Sequence, residues 1–382
     1  MIFGPKTIAG FMTIFATEVW MILVVRFING VADTAGIMAV MIYCTEIASN
    51  EIRGSLGSLI PLLSSLGALI ILGIGPYVSY RNLSIMYTAI IICASIPILF
   101  IPDTPYSLYS KGKIEEAERV LIFLRESKII AQEELKQFSR REPKQKFDKR
   151  DLFRNKAYLK GLMISVVMGI GVEAIGFNCI TFYLQTILEL TNTNVSSAFG
   201  SVVIGCIQLV SCIVTSIYSD RFGRKIILVT TLFGMAAGMM SLGVFFTLKR
   251  HGVSISGFLN YLPVISVGFI NWCYGGGIGS QFLVLISELL DGPARALITS
   301  ICMEVSTITA FFVTKYTIEM ITVLGSNTTF FMFGVVCVLL SLFVLFFVPE
   351  TKHKTIAEIQ NVLRGEERLE KHIQGNGNIS RL

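Results

Sequence analysis

Six residues, Asp220-Arg221-Phe222-Gly223-Arg224-Lys225, separate two stretches that carry no charge at all, Phe199–Tyr218 and Ile226–Leu248. Each stretch has the ~20 apolar residues that an α-helix needs to cross a bilayer. A hexapeptide cannot form a domain, so it must be a tight turn between two antiparallel spanning helices. Gly223 supplies the backbone freedom such a turn requires. Three basic residues in so short a loop mark it as cytoplasmic, because Lys and Arg are retained on that side.

The remaining composition agrees with a chain built from such pairs. Of 382 residues, 53% are hydrophobic and only 15% charged, which excludes a soluble globular domain. Most of the charge sits in residues 102–160 and in the tail 349–382, so the net charge of +6 is a topological excess and calls for no nucleic-acid partner. The eight cysteines lie inside apolar runs without a C-x-x-C pair, and there are three scattered histidines. They read as small buried side chains rather than as disulfides or metal ligands, and no cofactor is expected.

Hydropathy divides the chain into apolar runs at about 1–17, 21–45, 56–78, 83–101, 161–188, 198–219, 225–248, 259–287, 297–321 and 328–348. Their order contains a duplication. Glu46 precedes Arg53 as Glu288 precedes Arg295, and Pro102-Asp103-Thr104 closes the fourth run as Pro349-Glu350-Thr351 closes the tenth. The offsets between the halves, 242 and 247 residues, are nearly constant. Parallel repeats of this kind build membrane transporters from two like bundles. With six helices per half, residues 161–348 form a complete bundle. Residues 1–101 then form a partial one, showing its third to sixth helices and lacking about two and a half. Residues 102–160 read as a cytoplasmic loop with short amphipathic helices, since Ile114, Ala117, Val120, Leu121 and Leu124 share one face. Residues 349–382 read as a cytoplasmic tail with one further such helix over Thr355–His372. N-x-[ST] sequons at Asn82, Asn194 and Asn327 fall in loops that this topology places outside.

The hexapeptide resembles the D-R-x-G-R-[RK] loop of the major facilitator superfamily. Further pieces narrow the resemblance to its sugar porter branch, in the style of insect facilitated trehalose transporters. They are Arg26-Phe27 with Gly30, Tyr43 with Glu46, Arg53-Gly54, Pro102–Leu108, Gly176 with Asn178, Phe182-Tyr183, Glu288 with Gly292-Pro293 and Arg295, and Val348–Lys352. The resemblance covers the whole chain. It implies an all-α integral membrane protein of the major facilitator fold, with two pseudo-repeated helical bundles rocking about a midplane site. It implies a uniporter for trehalose or a hexose, acting as a monomer in a lipid bilayer, the plasma membrane by family default, and not an enzyme. Where the family carries Gln-Gln on its seventh helix this chain has Val172-Glu173. Pro61 replaces a Gln on the fifth, Phe282-Leu283 replace Pro-Trp on the tenth, and Ser306-Thr307 replace Asn-Trp on the eleventh. Asn178 is retained, and Gln208 offers an amide on the eighth.

Glu173, Asn178 and Gln208 are therefore the expected substrate contacts. Glu173 lies about twelve residues into its helix, roughly 18 Å deep. A carboxylate near the midplane costs on the order of 2.5–3.5 kcal/mol, which makes function the default reading. It binds a hydroxyl, carries a proton, or reflects relaxed constraint. By resemblance, Phe182 and Tyr183 close the cavity from outside, or else pack in the core. Glu46, Arg53, Asp220, Arg221, Arg224, Glu288, Arg295 and Glu350 are expected to form a cytoplasmic gate network; the alternative is a topology signal with helix-end capping. Gly275, Gly276 and Gly277 suggest a hinge, or close packing through small residues. Lys315 is expected to pair with Glu319 near the outer surface, with Glu304 deeper on the same stripe. Two other functions stay open: a relative that no longer moves solute, given the altered sugar positions and missing helices, and a proton-coupled symporter resting on Glu173.

Overall fold

The computed structural model describes residues 3–47, 53–98, 100–140, 155–191, 196–253, 256–289, 292–351 and 356–364. Among them every regular element is a helix. In chain order these are α1 (Phe3–Ile14), α2 (Val19–Ile47), α3 (Arg53–Ile74), α4 (Tyr80–Ile98), α5 (Pro105–Ser110), α6 (Ile114–Arg125), α7 (Lys128–Arg140), α8 (Lys156–Ala174), α9 (Phe177–Phe182), α10 (Leu184–Thr191), α11 (Ser197–Phe222), α12 (Arg224–Arg250), α13 (Leu262–Gly276), α14 (Ile278–Leu289), α15 (Gly292–Leu324), α16 (Ser326–Phe347) and α17 (Ile356–Arg364). Eight spans among the described residues are long and apolar enough to cross a membrane. Hydrocarbon accepts no unpaired backbone polar group, so helices that bond internally are the natural response to these apolar runs.

The chain divides into two compact units. Met1–Ile60 and Ile74–Lys144 form the first; Pro61–Gly73 and Gln145–Leu382 form the second. In the first, α1 packs on α2 and α4. Lys6 of α1 forms an ion pair with Asp33 of α2, so two charges inside apolar helices neutralise each other. Helices α5 to α7 pack in series. Ala117 and Leu121 of α6 are buried while Ile114, assigned to the same face by its spacing, is exposed. Thr104 caps α5 by accepting from the Ser107 amide.

The second unit has an extended core. Leu228, Leu232, Met235, Met239 and Leu242 of α12 are all fully buried. Their alternating spacing of four and three keeps them on one stripe of the helix. That stripe meets an antiparallel α16, where Ser341 donates to the Val229 carbonyl at 3.1 Å and Gly334 lies against Met240. Helix α13 runs antiparallel to α12 on another side, with Ser266 and Ser241 hydroxyls 2.9 Å apart. Helices α8 and α15 pack in parallel, since Ser165 meets Cys302 and Glu173 meets Ser306. Helix α11 parallels α13, with Ser211 donating to the Trp272 carbonyl at 2.6 Å. The tail helix α17 buries Ile359 and Leu363 and packs on α8 and α14. It lies within the Thr355–His372 helix expected from sequence; residues 355 and 365–382 lie outside the described residues.

Two of the spans are interrupted by glycine. Between α8 and α9, Gly176 adopts φ +76°, and a Cβ there would lie 2.6 Å from the ring of Phe333. Both the left-handed backbone and the ring contact exclude a side chain. Between α13 and α14, Gly277 packs so close to α12 that a Cβ would overlap the Thr231 side chain. Replacing Gly176 by Ala is expected to cost about 2 kcal/mol or more, from backbone strain and overpacking together. Gly112, at φ +79° with open space around it, gives the matched control that carries the backbone cost alone. Thermal unfolding in detergent should show the larger drop for Gly176→Ala; equal drops would remove the packing term.

Candidate functional site

The break at Gly176 creates the polar centre of the second unit. It turns the chain so that Asn178, in the first turn of α9, reaches back to Glu173 near the end of α8. The Asn178 side-chain amide donates to Glu173 Oε2. From the neighbouring α15, the Ser306 hydroxyl donates to Glu173 Oε1 at 3.0 Å. Each carboxylate oxygen thus has its own neutral donor. Among the described residues no Lys, Arg or His pairs with this carboxylate.

An aromatic pair borders the same place. Phe177, next to Asn178, stacks on Tyr274 of α13 with ring centroids 3.4 Å apart and planes within 5°. The centre therefore combines a carboxylate, an amide and a hydroxyl, and an aromatic stack begins at the residue beside Asn178. Those are the groups with which a protein replaces the water stripped from a polyhydroxylated solute.

Gln208 makes no recorded contact with this centre. It shares the face of α11 that carries Ser211 and Cys212, and Ser211 packs against α13 at Trp272 and Gly275. Phe182 and Tyr183 point apart: Phe182 is 70% exposed, whereas Tyr183 packs against the core. Glu304, placed by its spacing on a stripe with Lys315, is exposed. Ser306 is two residues away and turned roughly 200° around the helix, so the side facing Glu173 is the serine's. Lys315 does not pair with Glu319. Its ammonium lies 5.6 Å from the Phe311 ring centroid and 5.4 Å from that of Tyr316, within cation–π range. Phe311 is one helical turn away.

The glycine run, open to a hinge or a packing reading from sequence, shows both ingredients. The helix ends at Gly276, and Gly277 and Gly275 permit contacts with Thr231 and with Ser211, whose Oγ would lie 2.9 Å from a Cβ at Gly275. Gly276 makes only ordinary contacts.

A second polar cluster gathers at the charged turn. Glu350 caps α12: its carboxylate accepts from the Arg224 and Lys225 amides at 3.1 and 3.3 Å. These are orphan donors at a helix N-terminus, where the macrodipole also favours a negative charge. Glu288 ion-pairs with Arg224 at 3.3 Å and accepts from the Thr351 hydroxyl at 2.6 Å. Arg295 sits half-buried in the first turn of α15. The side chains of Arg53, Asp220 and Arg221 lie outside the described residues.

The duplicated sequence motif is used differently in the first unit. Asp103, the counterpart of Glu350, ion-pairs with Lys111 at 2.9 Å, and the hydrogen bond from Lys111 holds its carboxyl below the usual range. Thr104, the counterpart of Thr351, caps α5 and leaves Glu46 alone. One carboxylate oxygen of Glu46 is buried without a partner among the described residues. The signal missed from sequence was therefore at Ser306, Tyr274 and Thr351. Each was visible as a residue type, but only the packing shows whom it meets.

Comparison with known proteins places this geometry in a wider set. Residues 6–363 match the family model described as sugar (and other) transporter. The chain is 27% identical over 368 residues to a facilitated trehalose transporter of Polypedilum vanderplanki, covering 95% of this chain and 73% of that protein. A facilitated trehalose transporter of Bombyx mori is likewise 27% identical, over 372 residues that cover 97% of this chain and 74% of that one. The inward-open structure of the xylose transporter XylE from E. coli superposes with a TM-score of 0.77 at 20% identity. That alignment covers 94% of this chain and 83% of XylE. The fold is that of the major facilitators, a family of transporters rather than enzymes, and the chain is an integral multi-pass membrane protein. It belongs to the sugar (and other) transporter family.

Proposed function

We propose that the chain moves a sugar across a membrane by alternating access, passively, with trehalose and hexoses as the first substrates to try. One observation carries the reading: Glu173, Asn178 and Ser306 converge at an interrupted helix inside a membrane span. Transporters of this architecture commonly form solute sites from discontinuous helices near the midplane. The names of the trehalose-transporting relatives support the substrate class. Glu173, Asn178, Ser306 and Tyr274 contact the solute, with Gln208 contributing an amide from α11.

In this proposal the turn at 220–225, the 102–160 loop and the tail are cytoplasmic, following the excess of basic residues, and the membrane is the plasma membrane. The Arg224–Glu288–Thr351 cluster and the Glu350 cap hold the cytoplasmic end of the second bundle, with Arg295, Asp220 and Arg221 nearby in sequence. Glu46 and Arg53 serve the first bundle. Gly275–Gly277 provide the hinge, and Phe182 and Tyr183 the outer gate. A transport cycle needs two states of differing free energy that a solute can shift. A polar cluster at one end supplies such a difference if it forms in only one of them.

Uptake of radiolabelled trehalose and glucose into proteoliposomes tests the reading. The unaltered chain should exceed empty vesicles for at least one sugar. Asn178→Ala and Ser306→Ala should each lower kcat/KM by about tenfold, the worth of a lost hydrogen bond. A folded chain with no uptake of any sugar would overturn the proposal. The gate gives a separate expectation. Glu288→Gln removes one partly buried ion pair, about 1 kcal/mol, and should change the ratio of half-saturation constants for entry and exit several-fold. An unchanged ratio would assign the cluster to helix capping alone.

A further inference from the structure

We infer that the solute carries a positive charge: the site of the second unit is built for a small polyol bearing a protonated amine, such as an amino sugar. The inference rests on the sugar-transport reading above and specifies its substrate class.

The observations begin with charge. Glu173 lies inside a membrane span, and its contacts are two neutral donors, Asn178 and Ser306. Several other charged groups in the apolar helices are paired or directed elsewhere. Lys6 pairs with Asp33 in the first unit, Lys315 lies over Phe311 and Tyr316, and Glu304 faces away. No basic side chain among the described residues answers Glu173. An uncompensated carboxylate at this depth is costly, so a positive charge carried by the solute is favoured there.

The hydrogen bonding says which kind. A protonated carboxyl is a donor at one oxygen. Here the Asn178 amide nitrogen cannot accept, so Oε2 carries no proton, while the Ser306 hydroxyl can donate to Oε1 or accept from it. A cation on the solute meets the carboxylate and leaves both hydrogen bonds in place, whereas a proton on Oε1 requires the Ser306 hydroxyl to turn and accept. An ammonium is attracted by the carboxylate. The hydroxyls of the same solute find Ser306 and Asn178.

Competing uptake in proteoliposomes tests this, using glucosamine at a pH where its amine is protonated, N-acetylglucosamine as its neutral relative, and glucose. The expected result is a glucosamine kcat/KM about tenfold above that for N-acetylglucosamine. Glu173→Gln should bring that ratio close to one, whatever the absolute rates, and Glu173→Asp should restore part of it. The ratio remains readable in a variant of reduced stability, since both sugars meet the same folded molecules. Glucose transport with no preference for glucosamine would overturn the inference and leave the sugar-transport reading standing. So would a preference that Glu173→Gln does not alter. Uptake of neutral sugars that depends on an inward proton gradient, and loses that dependence in Glu173→Gln, would assign the counter-charge to a proton and overturn the amine. No uptake of any of the three sugars would overturn both.

Discussion

A peptide group in hydrocarbon has no water to bond, so a spanning chain keeps its helices whole except where something else occupies the gap. The second unit keeps to this rule and breaks it in two places. At Gly176 the chain turns through a left-handed residue against the face of Phe333. At Gly277 it runs so close to Thr231 that no side chain fits. Each break is enclosed by protein, and the first one aims Asn178 at Glu173. The polar centre exists because the helix is interrupted there, and the interruption is tolerated because the surrounding helices enclose it. Fold and site thus depend on one constraint.

That constraint explains what could be read from the sequence. The apolar runs, their lengths and the charged turn at 220–225 follow from composition, since a helix must be apolar to cross. The bundle core of α12 was not legible, because in a run apolar on every side spacing alone does not single out Leu228, Leu232, Met235, Met239 and Leu242. Glu173 stood out because an acid at that depth is unusual. Its donors did not. Ser306 looked like the loss of an amide when each position was compared singly, and Tyr274 lay beside a glycine run that drew the attention. Helical spacing places residues on faces, but it does not say which faces meet across 133 residues of chain. The pairing of Lys315 failed for a related reason. A carboxylate four residues away is a natural partner on a helix, and the spacing alone gives no weight to two aromatic rings equally near.

The duplication was legible as a pattern of helix ends. Equal spacing of acids and bases in both halves suggests equal networks. The described residues show two different local solutions. Glu350 spans the start of α12 and Glu288 holds Arg224 and Thr351. In the first unit, Asp103 takes Lys111 and Thr104 is used as a helix cap. A shared motif fixes which residues end the helices.

The altered positions at the polar centre are best understood together. Changing an amide to a carboxylate at 173 alone would leave a charge with unmatched lone pairs, and changing an amide to serine at 306 alone would shorten a donor's reach. In this chain the carboxylate and the serine face one another at 3.0 Å, with Asn178 filling the other oxygen. Three positions that look eroded or merely retained one by one form a satisfied set. A partly satisfied polar network in a low-dielectric site would be a liability, and a fully satisfied one defines a site. What the set leaves unmet is net charge, and charge is the one property that neutral donors cannot correct. Hydrogen bonding fixes the geometry of the carboxylate, while its electrostatics remain open to whatever enters. A solute site arranged as proposed would select first by sign and only then by shape, the reverse of a site built from amides alone.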